Sequence, residues 1–139
     1  VNYIPFSPGQ LGVGTNPNTS QVTLTDTTGV LASGVEFPTV AHVWLAQASR
    51  GAKVDRVPLT PDGTVDVSAY EAGMSDRICV VSAAHAYFVN GFKQDIAAIT
   101  RLAHAHGTIV FVDAYQTLGT EPIDVKALEV DALAGGCLK

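Results

Sequence analysis

The chain has 139 residues, with eight Lys and Arg against thirteen Asp and Glu and a net charge of −5. Its length fits one domain, and its charge argues against a nucleic-acid partner, whose phosphates attract Lys- and Arg-rich surfaces. Hydrophobic residues are 47% and charged ones 15%, which argues against disorder, and no apolar run approaches the ~20 residues of a membrane-spanning helix. No basic, apolar, small-residue leader opens the sequence. Two cysteines, Cys79 and Cys137, make neither a disulfide framework nor a zinc spacing. The expected setting is the reducing cytoplasm, with no membrane partner.

Residues 1–20 read as an irregular arm, because Pro5, Pro8, Pro17, Gly9, Gly12 and Gly14 punctuate them. Val22 to Thr25 and Val30 to Ala32 are short strand candidates. Thr39 is placed to cap a helix over Val40 to Arg50, with Gly51 as its stop. Lys53 to Leu59 alternates like a strand, and Pro61, Asp62 and Gly63 make a turn. Ser68 and Glu71 have capping-box spacing for a short helix.

Arg77 to Ala84 holds the apolar run Ile78 to Val81, as in a strand buried on both faces. Asp95 caps the next expected helix, where Ile96, Ile99, Leu102 and Ala103 follow the helical period and Gly107 ends it. Thr108 to Val112 (TIVFV) is the clearest buried strand. Asp124 to Glu129 reads as a short helix and Val130 to Leu133 as a last strand. Alternating strands and helices imply βαβ units, hence an α/β fold with a mainly parallel sheet and flanking helices. Ligands in such sheets bind beyond the carboxyl ends of the strands. That rule selects His85, Asp113 and the stretch after Leu133.

Asp113 ends a strongly apolar strand. A carboxylate there needs a cation, a metal or several donors, since burying it unpaired is costly; the alternative is a turn cap. Lys139 follows the small-residue run Ala134 to Gly136. A lysine is a surface residue by default, but in a desolvated strand-end site it can lose its proton and attack a carbonyl. His104 and His106 are two apart on a helix and point in different directions, so they make no metal pair. Gly12 and Gly14 lack the strand and helix that a dinucleotide site requires.

VDAYQTLG (Val112 to Gly119) followed by PIDVKALEVDALAGGCLK (Pro122 to Lys139) resembles the pyridoxal-phosphate region of the class V aminotransferases. That group includes cysteine desulfurases, kynureninases and isopenicillin N epimerase-like proteins. EFPTVAHVW, RGAKVDRVPLTPDGTVDVSAYEA and NGFKQDIAAITRLAHAHG fall upstream in the expected order. The resemblance runs from about residue 20 to 139 and implies part of the large, cofactor-binding domain of a fold-type-I pyridoxal 5'-phosphate enzyme. It implies an amino-acid substrate, a homodimer, and transamination, elimination (desulfuration) or epimerisation.

Residue by residue, the resemblance matches Asp113 to the partner of the pyridine nitrogen. Gln116 matches the donor to the cofactor's phenolic oxygen, and Lys139 the lysine that forms the Schiff base and can then move the α-proton. Phe37 stands where relatives place an aromatic or histidine against the ring; core packing is the other reading. Thr27, Thr28 and Gly29 stand at a phosphate-binding turn, and His85 is placed to line the pocket or to serve as a satisfied strand-end histidine.

The sequence departs from the pattern in three ways. The helix that relatives place between the phosphate turn and the next strand is absent. Gly136 and Leu138 stand where relatives often have serine and histidine, and the small C-terminal domain is absent. Two further readings stay open: a non-catalytic fragment or degenerate relative acting as an interaction module, and a kynureninase-like hydrolase suggested by the FPT at Phe37 to Thr39.

Overall fold

The computed structural model describes the backbone of residues 10–15, 18–23 and 29–136, and the side chains of 29–136. The first described elements are strands, not an irregular arm. Strand β1 (Gln10–Thr15) pairs antiparallel with β2 (Asn18–Thr23), in register from Gln10 opposite Thr23 to Thr15 opposite Asn18. The prolines and glycines that suggested an arm lie mostly before or between these strands. Val13, Thr15, Thr19 and Val22 supply β-branched residues within them.

The remaining strands form one five-stranded parallel sheet in the order β4-β3-β5-β6-β7. They are β3 (Gly29–Ser33), β4 (Lys53–Val57), β5 (Ile78–Ala84), β6 (Ile109–Asp113) and β7 (Ala132–Ala134). Helices α1 (Pro38–Ala46), α2 (Val67–Gly73) and α3 (Ile96–Ala105) lie between them in the chain. The chain steps from β3 to β4 on one side, then crosses back over β3 to β5 on the other. Right-handed crossovers of opposite direction require helices on opposite faces. Accordingly Trp44 of α1 packs with Val30, Ala32 and Val80 on one face. Tyr70 of α2 and Ile96, Ile99 and Ala103 of α3 pack with Leu31, Val81 and Val110 on the other. Burial on both faces explains the unbroken apolar runs of β3 and β5.

Local chemistry sets the element ends, sometimes differently from expectation. Asp95 caps α3, its Oδ1 accepting from Ala98 N–H at 2.9 Å. Helix α1 starts earlier than Thr39: Phe37 is its cap residue and Pro38 takes the first turn, where a missing N–H costs nothing. It tightens into a 3-10 turn over Gln47–Arg50 and stops at Gly51, whose φ of 92° is left-handed. Asp66, not Ser68, stands at the cap of α2, without a side-chain hydrogen bond. The expected helix over Asp124 to Glu129 is a turn. Asp124 Oδ1 accepts from Lys126 and Ala127 N–H, both at 3.0 Å, and the turn closes at Glu129 with φ 55°. The last strand follows two residues later than expected. Asp131 precedes it and accepts from Val110 N–H at 2.7 Å, tying it to β6.

Candidate functional site

Parallel strands bring their carboxyl ends to one edge. Ala84 pairs with Asp113 and Asp113 with Ala134, so β5, β6 and β7 finish level. Ser33 ends β3 beside them. The chain leaves β3 in one direction and β5 in the other, which opens a crevice between their carboxyl ends. His85 N–H donates to Asp113 O at 2.8 Å, and Ala114 N–H to Ala134 O at 2.8 Å, extending the ladder past the strands.

Asp113 is 7% exposed at this edge. Its Oδ1 accepts from Tyr115 N–H at 2.9 Å, and it forms no ion pair among the described residues. One backbone donor does not offset the desolvation of a carboxylate. The site therefore suits a cationic ligand group such as a protonated ring nitrogen. The turn-cap alternative is also realised, since the Tyr115 hydrogen bond is a cap, and the same side chain can do both.

His85 is half-buried, and its Nδ1 lies 2.8 Å from Thr117 Oγ1. The Thr117 hydroxyl donates to Ala114 O at 3.2 Å. Its single hydrogen is thus committed, and His85 Nδ1–H is the donor to Oγ1, leaving Nε2 as the acceptor nitrogen. Burial lowers the imidazole below its ordinary range, so the ring is neutral at pH 7. An open cleft of about 410 Å³ adjoins it, lined among others by Tyr87, Phe88, Lys93, Gln116, Thr117 and Glu121. Lys93 pairs with Glu121 across this cleft, and its hydrogen bond holds the Glu121 carboxyl below the usual carboxylate range.

Phe37 is 40% exposed and meets Phe88 edge-on, with ring centroids 5.1 Å apart at 75°. It is a rim residue rather than core. Thr28 and Lys139 lie outside the described residues. Gly29, the neighbour of Thr28, opens β3 at its amino end and accepts no place at the Asp113 edge: its N–H donates to Arg77 O at the start of β5. The four steps from Gly29 to Ser33 put roughly 13 Å between those ends. The structure thus gathers Asp113, Gln116, His85 and Phe37 at one edge, and Gly29 lies at the other. After β7 the chain runs through Gly135 and Gly136 close over the Ala114–Leu118 loop. A Cβ on Gly136 would collide with the Tyr115 ring, and one on Gly135 would stand 2.6 Å from Leu118 Cδ2. These two glycines let the described chain end pass close to Tyr115 and Leu118, on either side of Gln116 in the sequence.

One residue at this edge escaped the sequence reading. Glu36 is 7% exposed, takes a hydrogen bond from Ser33 Oγ at 3.0 Å, and leaves Oε2 buried without a partner among the described residues. Burial, with Asp113 nearby, pushes its carboxyl up to about 7. The available signal was a glutamate between Val35 and Phe37, directly after a buried strand.

The sequence profile described as Aminotransferase class-V matches residues 16–139. An uncharacterized aminotransferase of Bacillus subtilis is 39% identical over 110 residues, 79% of this chain and 29% of that protein. A probable cysteine desulfurase of Vibrio cholerae is 35% identical over 103 residues, 73% of this chain and 26% of that protein. Among solved structures, the cysteine desulfurase CsdA from Escherichia coli aligns with a TM-score of 0.76 and 27% identity. That alignment covers 81% of this chain and 28% of CsdA. The chain therefore spans less than a third of the length of these relatives.

Proposed function

The chain belongs to the aminotransferase class-V family, a family of pyridoxal-phosphate enzymes, and on that premise we propose that it supplies part of the cofactor site of an enzyme acting on an amino acid. The reaction is transamination, elimination with desulfuration, or epimerisation. The desulfurase and aminotransferase relatives favour the first two. The homodimer and cytoplasmic setting belong to the same reading.

The observation that carries it is Asp113: a buried carboxylate at the carboxyl end of a central parallel strand, with one backbone donor and no ion pair among the described residues. When bound, pyridoxal phosphate supplies an electron sink for bond breaking at the substrate α-carbon. Asp113 would hold the pyridine nitrogen in its protonated form. Gln116 would donate to the phenolic oxygen, Phe37 would cover the ring, and Lys139 would hold the cofactor covalently. His85, neutral and fixed through Thr117, orients the Ala114–Leu118 loop on which Gln116 sits. Thr28, which lies outside the described residues, stays in this reading as the phosphate ligand that the family resemblance implies.

Asp113→Asn keeps the shape and removes the charge. A charge-assisted hydrogen bond contributes roughly 1.5–3 kcal/mol, so the Kd for pyridoxal phosphate should rise about 10- to 100-fold. An absorbance titration of the bound cofactor measures it. An unchanged Kd would overturn the assignment of Asp113.

A further inference from the structure

Glu36 stands three residues beyond β3, at the mouth of the crevice between β3 and β5. Titratable groups on three other elements are coupled to it: Asp113 of β6 acts on Glu36, and Glu36 acts in turn on Tyr70 of α2 and Tyr87 of the segment after β5. All are acids, and Asp66 at the cap of α2 adds another beside Tyr87. No cation pairs with Glu36 among the described residues. Its Oε1 is satisfied by Ser33, whereas Oε2 is buried and accepts from none of the described residues. The Tyr70 hydroxyl is likewise buried without a partner among the described residues. A carboxylate can only accept hydrogen bonds, and two carboxylates sharing a desolvated site do not both ionise readily.

We propose that Glu36 is a positioning residue of the Asp113 site: it stands there as a neutral acid with its proton on Oε2, so that the cluster at the strand ends carries one negative charge, on Asp113. The proposal rests on the reading of Asp113 as the partner of the pyridine nitrogen and deepens it. With Glu36 neutral, the ring nitrogen meets a single carboxylate. When Glu36 loses its proton, a second negative charge joins the same pocket. By linkage, a cation held at Asp113 must in turn ease the loss of the Glu36 proton. Burial sets the exchange near neutrality.

The test follows the side-chain carboxyl carbons by NMR as pH is varied in the intact chain, with Glu36→Gln assigning the Glu36 signal. Glu36 should titrate near pH 7 in the wild type and roughly half a pH unit or more lower in Asp113→Asn, where the like charge is gone. Saturation with pyridoxal phosphate should also lower the Glu36 midpoint of the wild type. A Glu36 midpoint in the ordinary carboxylate range, or one unmoved in Asp113→Asn, would overturn the proposal. If pyridoxal phosphate fails to bind saturably while the Glu36–Asp113 coupling persists, the cofactor reading fails and the coupled pair stands.

Discussion

Glu36 and His85 both sit at the strand-end edge, and burial acts on them in opposite senses. It raises the Glu36 carboxyl to about 7 and lowers the His85 imidazole. A carboxyl raised above its unfolded value binds more protons in the folded state. The stability it contributes is full below about pH 4.5 and is lost as pH rises through about 7. His85 works the other way and costs stability as pH falls below its ordinary range. The difference between wild type and Glu36→Gln isolates the first effect. The wild type should lose on the order of 2–3 kcal/mol relative to Glu36→Gln between pH 5 and pH 8. Denaturant melts across that range would show it, and a flat difference would mean that Glu36 ionises normally in the folded state. Gly136 marks a second constraint. Gly136→Ser forces the Tyr115 ring to move, at a cost of about 1–3 kcal/mol. Tyr115→Ala in the same chain should recover most of it, and thermal melts of the single and double variants would test the coupling.

The elements that the sequence made legible are those whose local chemistry and long-range packing agree. TIVFV is apolar because β6 has neighbours on both sides, full cover on the α3 face and partial cover on the α1 face, where Trp44 meets Phe111. Asp95 caps α3 because the carboxylate sits just before an apolar helical period. Asp124 misled for a local reason: its side chain takes two N–H groups as a cap does, but the chain turns left-handed at Glu129 before a helix can propagate. Glu36 was hidden because its meaning depends on Asp113, Tyr70 and Tyr87, which are 34 or more positions away and are brought together only by the crossovers. Asp113 and His85 were legible because one ends and the other directly follows a strand whose carboxyl end forms the edge, whereas Gln116 was pointed to by the family resemblance. On the other face, Trp44 is the main anchor of α1. Its Nε1–H donates to Ser82 Oγ at 2.9 Å, and its ring meets Phe111 edge-on at 5.5 Å. Trp44→Ala should cost about 3–5 kcal/mol, read from denaturant melts. A loss below 1 kcal/mol would show that α1 is held by something else.

Considered whole, the described structure is a parallel sheet with unequal cover. Helices α2 and α3 bury one face, whereas Cys79, Ile109 and Phe111 on the face of α1 are only partly buried. The site does not depend on that face. It is assembled from the carboxyl ends of β3, β5, β6 and β7, all contributed by this chain. Sheet topology thus brings Asp113, Gln116, His85 and Glu36 together, and the glycines after β7 lie against Leu118 and Tyr115 of the loop that carries Gln116. Whether Lys139 completes the site is the central claim, and covalent trapping addresses it most directly. The protein is incubated with pyridoxal phosphate, reduced with borohydride, digested and mapped by mass spectrometry. One saturable adduct on Lys139, weakened in Asp113→Asn, is the expected result. An adduct concentrated on Lys93 at the cleft, labelling scattered over Lys53, Lys93 and Lys126, or no adduct would contradict it.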